Sequence, residues 1–131
     1  MRALIAEDTA IGRFLIQEFL KPYGTTDVAE DGQAAVRAYD AALDSREPYD
    51  VVCLDIMMPE IDGRRALRLI RAVEASRGIA RERGAKIVMT TALSGADNVE
   101  EAKRGAADAY LVKPIDRARL LGELRRLGII T

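Results

Sequence analysis

The segment Val51-Val52-Cys53-Leu54-Asp55-Ile56-Met57-Met58-Pro59-Glu60-Ile61-Asp62-Gly63 constrains the fold more than any other part of the chain, because four apolar residues run into a carboxylate and then into a turn. A short apolar run bounded by turn signals fits a strand buried on both faces, as in a parallel sheet; a piece of buried helix has the same periodicity. Pro59 has no amide donor and fixes its own φ, and Asp62-Gly63 is a turn pair, so the strand has to end near Asp55. An acid is thereby placed at the carboxyl end of a strand, the edge at which open parallel α/β sheets bind ligands.

Strand and helix signals alternate along the rest of the chain. Arg2 to Ala6 reads as a short strand ending at Glu7-Asp8, and Thr9 is placed to cap a helix with Ile11, Phe14, Leu15 and Phe19 on one face. Pro22 and Gly24 close that helix, Thr25 to Ala29 reads as a weak edge strand, and Glu30-Asp31-Gly32 turns into a second helix with Ala35, Tyr39, Ala42 and Leu43 at helical spacing. Pro48 ends the connection to the Val51 strand. Past the Asp55 loop, a third helix turns Leu67, Ile70 and Val73 inward and several arginines toward water. Residues 75–84 are charged and contain two glycines, so they read as an exposed extension of that helix and a loop. Lys86 to Thr90 is a fourth strand ending at Thr91, followed by a turn through Ser94-Gly95-Ala96-Asp97 and a short alanine-rich helix around Val99 to Arg104. Ala109-Tyr110-Leu111-Val112 is a fifth strand, Lys113-Pro114 breaks it, and Asp116 caps a last helix with Leu120, Leu121, Leu124 and Leu127 on its inner face. Five strand-then-helix units predict a single α/β domain over residues 1–131, a doubly wound (βα)5 parallel sheet with helices on both faces.

Composition narrows the function. At 131 residues and 49% hydrophobic content the chain can build one core, and its charged residues nearly cancel to a net charge of −1, which offers no electrostatic footprint for nucleic acid or an anionic membrane. No apolar run approaches the roughly 18 residues of a spanning helix, and the acids at Glu7-Asp8 arrive too early for a signal-peptide core, so a cytoplasmic protein is expected. Cys53, the lone cysteine, lies inside a strand and reads as a small buried hydrophobe. The absence of histidine removes His-ligated zinc, Ser-His and Cys-His dyads, and a phosphohistidine carried by this chain.

The polar residues just past separate strands are Glu7 and Asp8, Asp55, Thr91 and Lys113, and all of them fall on one edge of the sheet. Two carboxylates ~5 Å apart repel by roughly 3 kcal/mol at an effective dielectric near 20, so a positive charge has to balance them. Acid oxygens suit a hard divalent cation, Mg2+ or Mn2+, and Lys113 supplies a second positive charge. A lysine, a hydroxyl and a metal around one aspartate can hold the oxygens of a phosphoryl group transferred onto it. The residues therefore read as an aspartyl-phosphate site.

Glu7-Asp8 after the first strand, Asp55 in Leu54-Asp55-Ile56-Met57-Met58-Pro59 with Asp62-Gly63 beyond, Thr91-Ala92 after the fourth strand and Lys113-Pro114 after the fifth resemble the receiver domain of two-component response regulators. The resemblance covers nearly the whole chain and implies a flavodoxin-like sheet with strand order 2-1-3-4-5. It implies that Asp55 is the phosphoacceptor, that Asp8, Asp55 and the backbone carbonyl of Met57 bind magnesium with Glu7 assisting through water, and that Thr91 and Lys113 hold the phosphoryl oxygens. It also implies a cis bond before Pro114 and a switch formed by Thr91 and Tyr110, through which phosphorylation reshapes the surface of the fourth helix, fifth strand and fifth helix. The expected phosphodonor is a sensor histidine kinase, a histidine phosphotransfer protein or a small phosphodonor, and the output is binding to a downstream protein, with no nucleic acid or membrane contacted directly. The chain reads as a stand-alone regulator of the chemotaxis type, a monomer or weak phosphorylation-dependent dimer; a phosphorelay intermediate or a receiver cut from a hybrid kinase has the same sequence features.

Several positions depart from the family pattern or test rival readings. Met57 and Leu93, two residues past Asp55 and Thr91, are apolar where the family controls access of water to the phosphoryl group, which predicts slow self-dephosphorylation. Ile115 follows Pro114 where many relatives carry an aromatic residue, a packing change. An aspartyl-nucleophile phosphatase would carry an acid at position 57, and a flavin carrier would carry a hydroxyl- or glycine-rich cradle where Glu7-Asp8-Thr9-Ala10 stands. Arginines 64, 65, 68 and 71 and the charged loop from Arg77 to Arg83 read as a solvated face, with a partner surface as the alternative.

Overall fold

In a computed structural model of the chain, which describes residues 1–92 and 107–131, five parallel strands form one sheet. They are β1 (Arg2–Ala6), β2 (Thr25–Ala29), β3 (Val51–Asp55), β4 (Lys86–Thr91) and β5 (Ala109–Val112), in the order β2-β1-β3-β4-β5. Leu4 pairs with Val52, Cys53 with Val88 and Val88 with Ala109, so β3 is central and its five residues are all buried, which is why it is the least polar stretch of the chain. Four helices are described: α1 (Ala10–Leu20), α2 (Gly32–Asp44), α3 (Gly63–Ser76) and α4 (Arg117–Arg126), with short 3-10 turns at Lys21–Tyr23 and Arg81–Arg83. The turn expected at residues 94–97, the helix expected at 99–104 and Leu93 lie outside the described residues.

Alternation along the strands divides the core in two. Val52, Leu54, Ile87 and Met89 pack with Tyr39 of α2 and Leu67 and Ile70 of α3; Val51, Cys53 and Val88 face the other way, onto Ile16 and Leu20 of α1 and Leu120 and Leu124 of α4. Each helix begins at a side-chain cap. Thr9, Asp31, Asp62 and Asp116 accept the amides of Gly12, Ala34, Arg65 and Arg119 at 3.1, 2.7, 3.0 and 3.0 Å. Cys53 is buried as expected, and burial pushes its thiol up to about 12. No helix among the described residues is long and apolar enough to cross a membrane.

Two expectations are corrected. On α1, Ile11, Phe14 and Leu15 are 74, 59 and 44% exposed, and the buried residues are Ile16 and Leu20 with Phe19 half-buried. Gly12 sets this rotation: a Cβ there would stand 2.6 Å from Glu7 Cγ, so the Gly12 side of the helix is pressed inward and Ile16 and Leu20 follow at four-residue intervals. Arg71 does not belong to a solvated face either. Its side chain is 12% exposed and bonds Glu74 Oε1 at 2.8 Å, Ala85 O at 2.9 Å and Asp108 Oδ2 at 3.1 Å.

Candidate functional site

The carboxyl ends of the strands bring the acids of two separate sequence segments together. Glu7 and Asp8 follow β1, Asp55 ends the neighbouring β3, and one carboxylate oxygen from each of the three lies within 4.8 Å of the others. Glu7 and Asp55 are buried, Asp8 exposed. Lys113, just past β5, reaches across β4 to this group: its Nζ lies 2.7 Å from Glu7 Oε2 and 2.8 Å from Asp55 Oδ2. The other Asp55 oxygen, Oδ1, accepts the Met57 amide at 3.2 Å. Three hard oxygens at this spacing are a suitable donor set for magnesium, which takes carboxylates and completes its shell with carbonyl oxygen and water.

The shared lysine splits the two buried acids. For Asp55, burial raises the pKa, the Lys113 hydrogen bond works against it, the nearby Glu7 charge adds to the rise, and the net result is upward. For Glu7, burial also raises the pKa, but Lys113 and hydrogen bonds from Thr9 outweigh it, so that Glu7 is held below the ordinary glutamate range. Burial lowers the pKa of Lys113, but its two carboxylate partners reverse this and raise it.

Thr91 ends β4, the strand between Asp55 and Lys113, and is fully buried. Its carbonyl accepts the Lys113 amide at 2.6 Å, and its side chain is hydrogen-bonded to the hydroxyl of Tyr110. Tyr110 is half-buried on β5, outside the acid cluster but linked to it through Thr91. The Lys113–Pro114 peptide is cis. Met57 stands at the mouth of the site, 58% exposed, so no acid occupies the position a phosphatase of the aspartyl class would fill.

Sequence reasoning missed the support of Glu7. Arg13 Nη1 donates to the Glu7 carbonyl at 2.8 Å, Thr9 Oγ1 donates to Glu7 Oε1 at 3.1 Å, and Gly12 leaves the space the Glu7 side chain occupies. The signal was local: Thr9, Gly12 and Arg13 lie within six residues of Glu7, on the first turns of α1.

Fold and site together define a doubly wound α/β protein with an acid-and-lysine pocket at the carboxyl edge of its sheet. Residues 3–125 match the response regulator receiver domain. The chain is 39% identical over 122 residues to the transcriptional regulatory protein PdtaR of Mycobacterium tuberculosis, covering 92% of this chain and 53% of that protein. It is 32% identical over 127 residues to the chemotaxis protein CheY of Bacillus subtilis, covering 95% of each. A chain of the crystal structure of the CheX-CheY-BeF3-Mg+2 complex from Borrelia burgdorferi superimposes with a TM-score of 0.83 at 26% identity, covering 98% of this chain and 89% of that one. The chain belongs to the response regulator receiver domain family, the signalling switches of two-component systems. It spans about half the length of PdtaR.

Proposed function

We propose that this receiver accepts a phosphoryl group on Asp55 from a phosphohistidine of a partner protein and signals through the change that follows. The observation that carries the proposal is Lys113 Nζ set within 2.8 Å of both Glu7 and Asp55 beside a third acid, with the Thr91 hydroxyl on the strand between. Asp8, Asp55 and the Met57 carbonyl would hold Mg2+ or Mn2+, with Glu7 assisting through water. When bound, the metal neutralises charge on the acids and on the incoming phosphoryl oxygens. Support for that metal comes from the spacing of the acid oxygens and from the similar complex of Borrelia burgdorferi, which was solved with magnesium and beryllofluoride.

Asp55 is suited to its role because one carboxylate oxygen is steadied by the Met57 amide and the other lies on Lys113. In the transfer, an Asp55 oxygen forms the new P–O bond as the P–N bond breaks and its electron pair returns to the donor imidazole. Lys113 then exchanges a carboxylate oxygen for a phosphoryl oxygen. Thr91, drawn toward the new group, gives up its hydrogen bond with Tyr110, so the ring is released to a second packing on the β5 face. Burial of Glu7 and Asp55 below an open mouth keeps the acid pair dry enough for these charge contacts to be strong.

The phosphohistidine has to lie outside residues 1–131, which contain no histidine. Ile11, Phe14, Leu15 and Met57, all exposed, lie on the first turns of α1 and on the Asp55 loop, and such an apolar rim suits a sensor histidine kinase or a histidine phosphotransfer protein. We place the protein in the cytoplasm, where such donors present their phosphohistidine, with a downstream protein as its target. Asp55 phosphorylation and its loss are the chemistry it performs.

Intact mass after incubation with magnesium and acetyl phosphate tests the proposal. One added phosphoryl group is expected, lost with chelator and lost in Asp55→Asn. Should no adduct accumulate, tight metal-dependent binding of beryllofluoride still supports the site, whereas failure of both overturns it.

A further inference from the structure

The edge of the sheet opposite the acidic site carries a cleft of about 430 Å3 that receiver chemistry does not use, lined by the end of α2, the segment after α3 and the start of β4. Leu43, Pro48, Tyr49 and Ile79 supply its apolar lining. Tyr49 is held rigidly there. Its hydroxyl donates to Asp27 Oδ2 at 2.7 Å, its ring stacks with Tyr39 at a centroid separation of 6.4 Å, and the Arg2 guanidinium lies 5.0 Å from its ring centroid. Ile79 is fixed by its amide, which donates to Glu74 O at 2.9 Å. Gly84 leaves a bare stretch of wall, because a side chain at that position would run into the Glu74 carboxylate. The cleft is thus preformed by contacts that serve the fold.

Charge at this edge is unevenly used. Arg2, Arg71, Arg77 and Arg81 are each tied to carboxylates. Arg83 and Lys86 line the cleft, and neither side chain makes a hydrogen bond or ion pair among the described residues. The carboxylate in the lining, Asp50, is already engaged by the Arg2 amide at 2.8 Å. A half-buried ammonium with no carboxylate in ion-pair contact carries a desolvation cost that an anion relieves. A concave apolar lining with a few placed charges, in the range of roughly 300–1,000 Å3, is the form small-molecule sites take.

We propose that this cleft binds a small organic anion with a flat apolar body, its acidic group held by Arg83 and Lys86 and its body laid against Tyr49, Leu43 and Ile79. The site is independent of Asp55 and stands at the opposite ends of the strands.

The probe is 1-anilinonaphthalene-8-sulfonate, which joins one anion to a flat apolar body, titrated into the full chain labelled with 15N. Saturable binding at one equivalent is expected, with amide shifts concentrated at Ile79, Gly84 and Lys86. The double variant Arg83→Gln, Lys86→Gln should weaken binding about tenfold, and raising salt tenfold should weaken it several-fold in the wild type, as screening of a direct charge contact requires. Ile79→Ser, which keeps both charges, should weaken it as well, and the spectra of all variants away from the cleft report that each remains folded. Shifts centred on Ile11 to Leu15, an affinity unchanged in the double variant, or binding without saturation would each overturn the proposal. So would binding confined to an acidic peptide with none to the sulfonate.

Discussion

Asp55 sits on an electrostatic compromise. Burial raises its pKa first, Lys113 opposes the rise, and Glu7, competing for the same ammonium, adds to it. An acid whose folded pKa lies above its unfolded one costs stability at pH values above both, and the cost disappears as pH falls below the ordinary aspartate value of 3.8. Asp55→Asn is therefore expected to raise the metal-free thermal midpoint at neutral pH by about 4 °C, the equivalent of about 1 kcal/mol for a domain of this size. That gain should shrink as pH is lowered through the raised Asp55 value. A variant that melts below wild type at pH 7 would show that Lys113 more than offsets the burial. Glu7 has the opposite sign: its lowered pKa contributes stability above the ordinary glutamate value, lost as pH falls through the folded one. Met57 governs a different property. Exposed at the mouth of the site, it offers no hydrogen-bonding group to position water, so Met57→Asn should shorten the phosphorylated lifetime, read as the rate of phosphate loss after the donor is removed. An equal or slower rate removes Met57 from the account.

At the scale of elements, the ends of the strands opposite the site are tied by a buried ionic network. Arg71 of α3 bonds Glu74 and Asp108, Glu74 Oε2 accepts the Tyr39 hydroxyl of α2 and the Ala85 amide, and Asp108 Oδ2 accepts the Ile87 amide of β4 at 2.8 Å. Two helices and the starts of two strands are thereby fixed to one another. Replacing Arg71 with methionine would leave the buried Glu74 carboxylate without its guanidinium and Asp108, part-buried, with Arg81 as its remaining guanidinium at 3.3 Å, which should cost about 3–5 kcal/mol. Arg68→Met, exposed on the same helix, is expected to change stability by less than about 0.5 kcal/mol. Urea denaturation of the two variants decides the matter, and equal effects would mean the network contributes no more than a surface charge. Nothing in the sequence separates these arginines. Residues 64, 65, 68 and 71 look alike in a helical pattern, and the partner Asp108 is 37 residues away from Arg71, so only the paired strands bring it into range. The first helix shows the same limit. Its apolar residues occur all around the helix, and the choice of Ile16 and Leu20 over Ile11, Phe14 and Leu15 was made by Gly12 against Glu7, a tertiary contact that periodicity does not contain.

The molecule as a whole has a stable frame with its chemistry at one rim, so ligand binding at that rim should register as global stability. Magnesium and beryllofluoride at about 100 times their dissociation constant should add about 2.7 kcal/mol, close to 10 °C in the thermal midpoint. Asp55→Asn should show no such shift; a comparable shift in that variant would place the binding elsewhere. The alternation of strands and helices, the strand ends, the helix caps and the convergence of Glu7, Asp8, Asp55, Thr91 and Lys113 on one edge were determined by the sequence, because each depends on local turn chemistry and on the parallel order that alternation imposes. The tertiary structure alone decided how charge is shared. It gave one ammonium to two acids, tied Thr91 to Tyr110, buried Arg71 and left Arg83 and Lys86 over an open cleft. These are distances between residues far apart in the chain, and pKa values and ion pairing follow distance and burial, neither of which a linear pattern specifies.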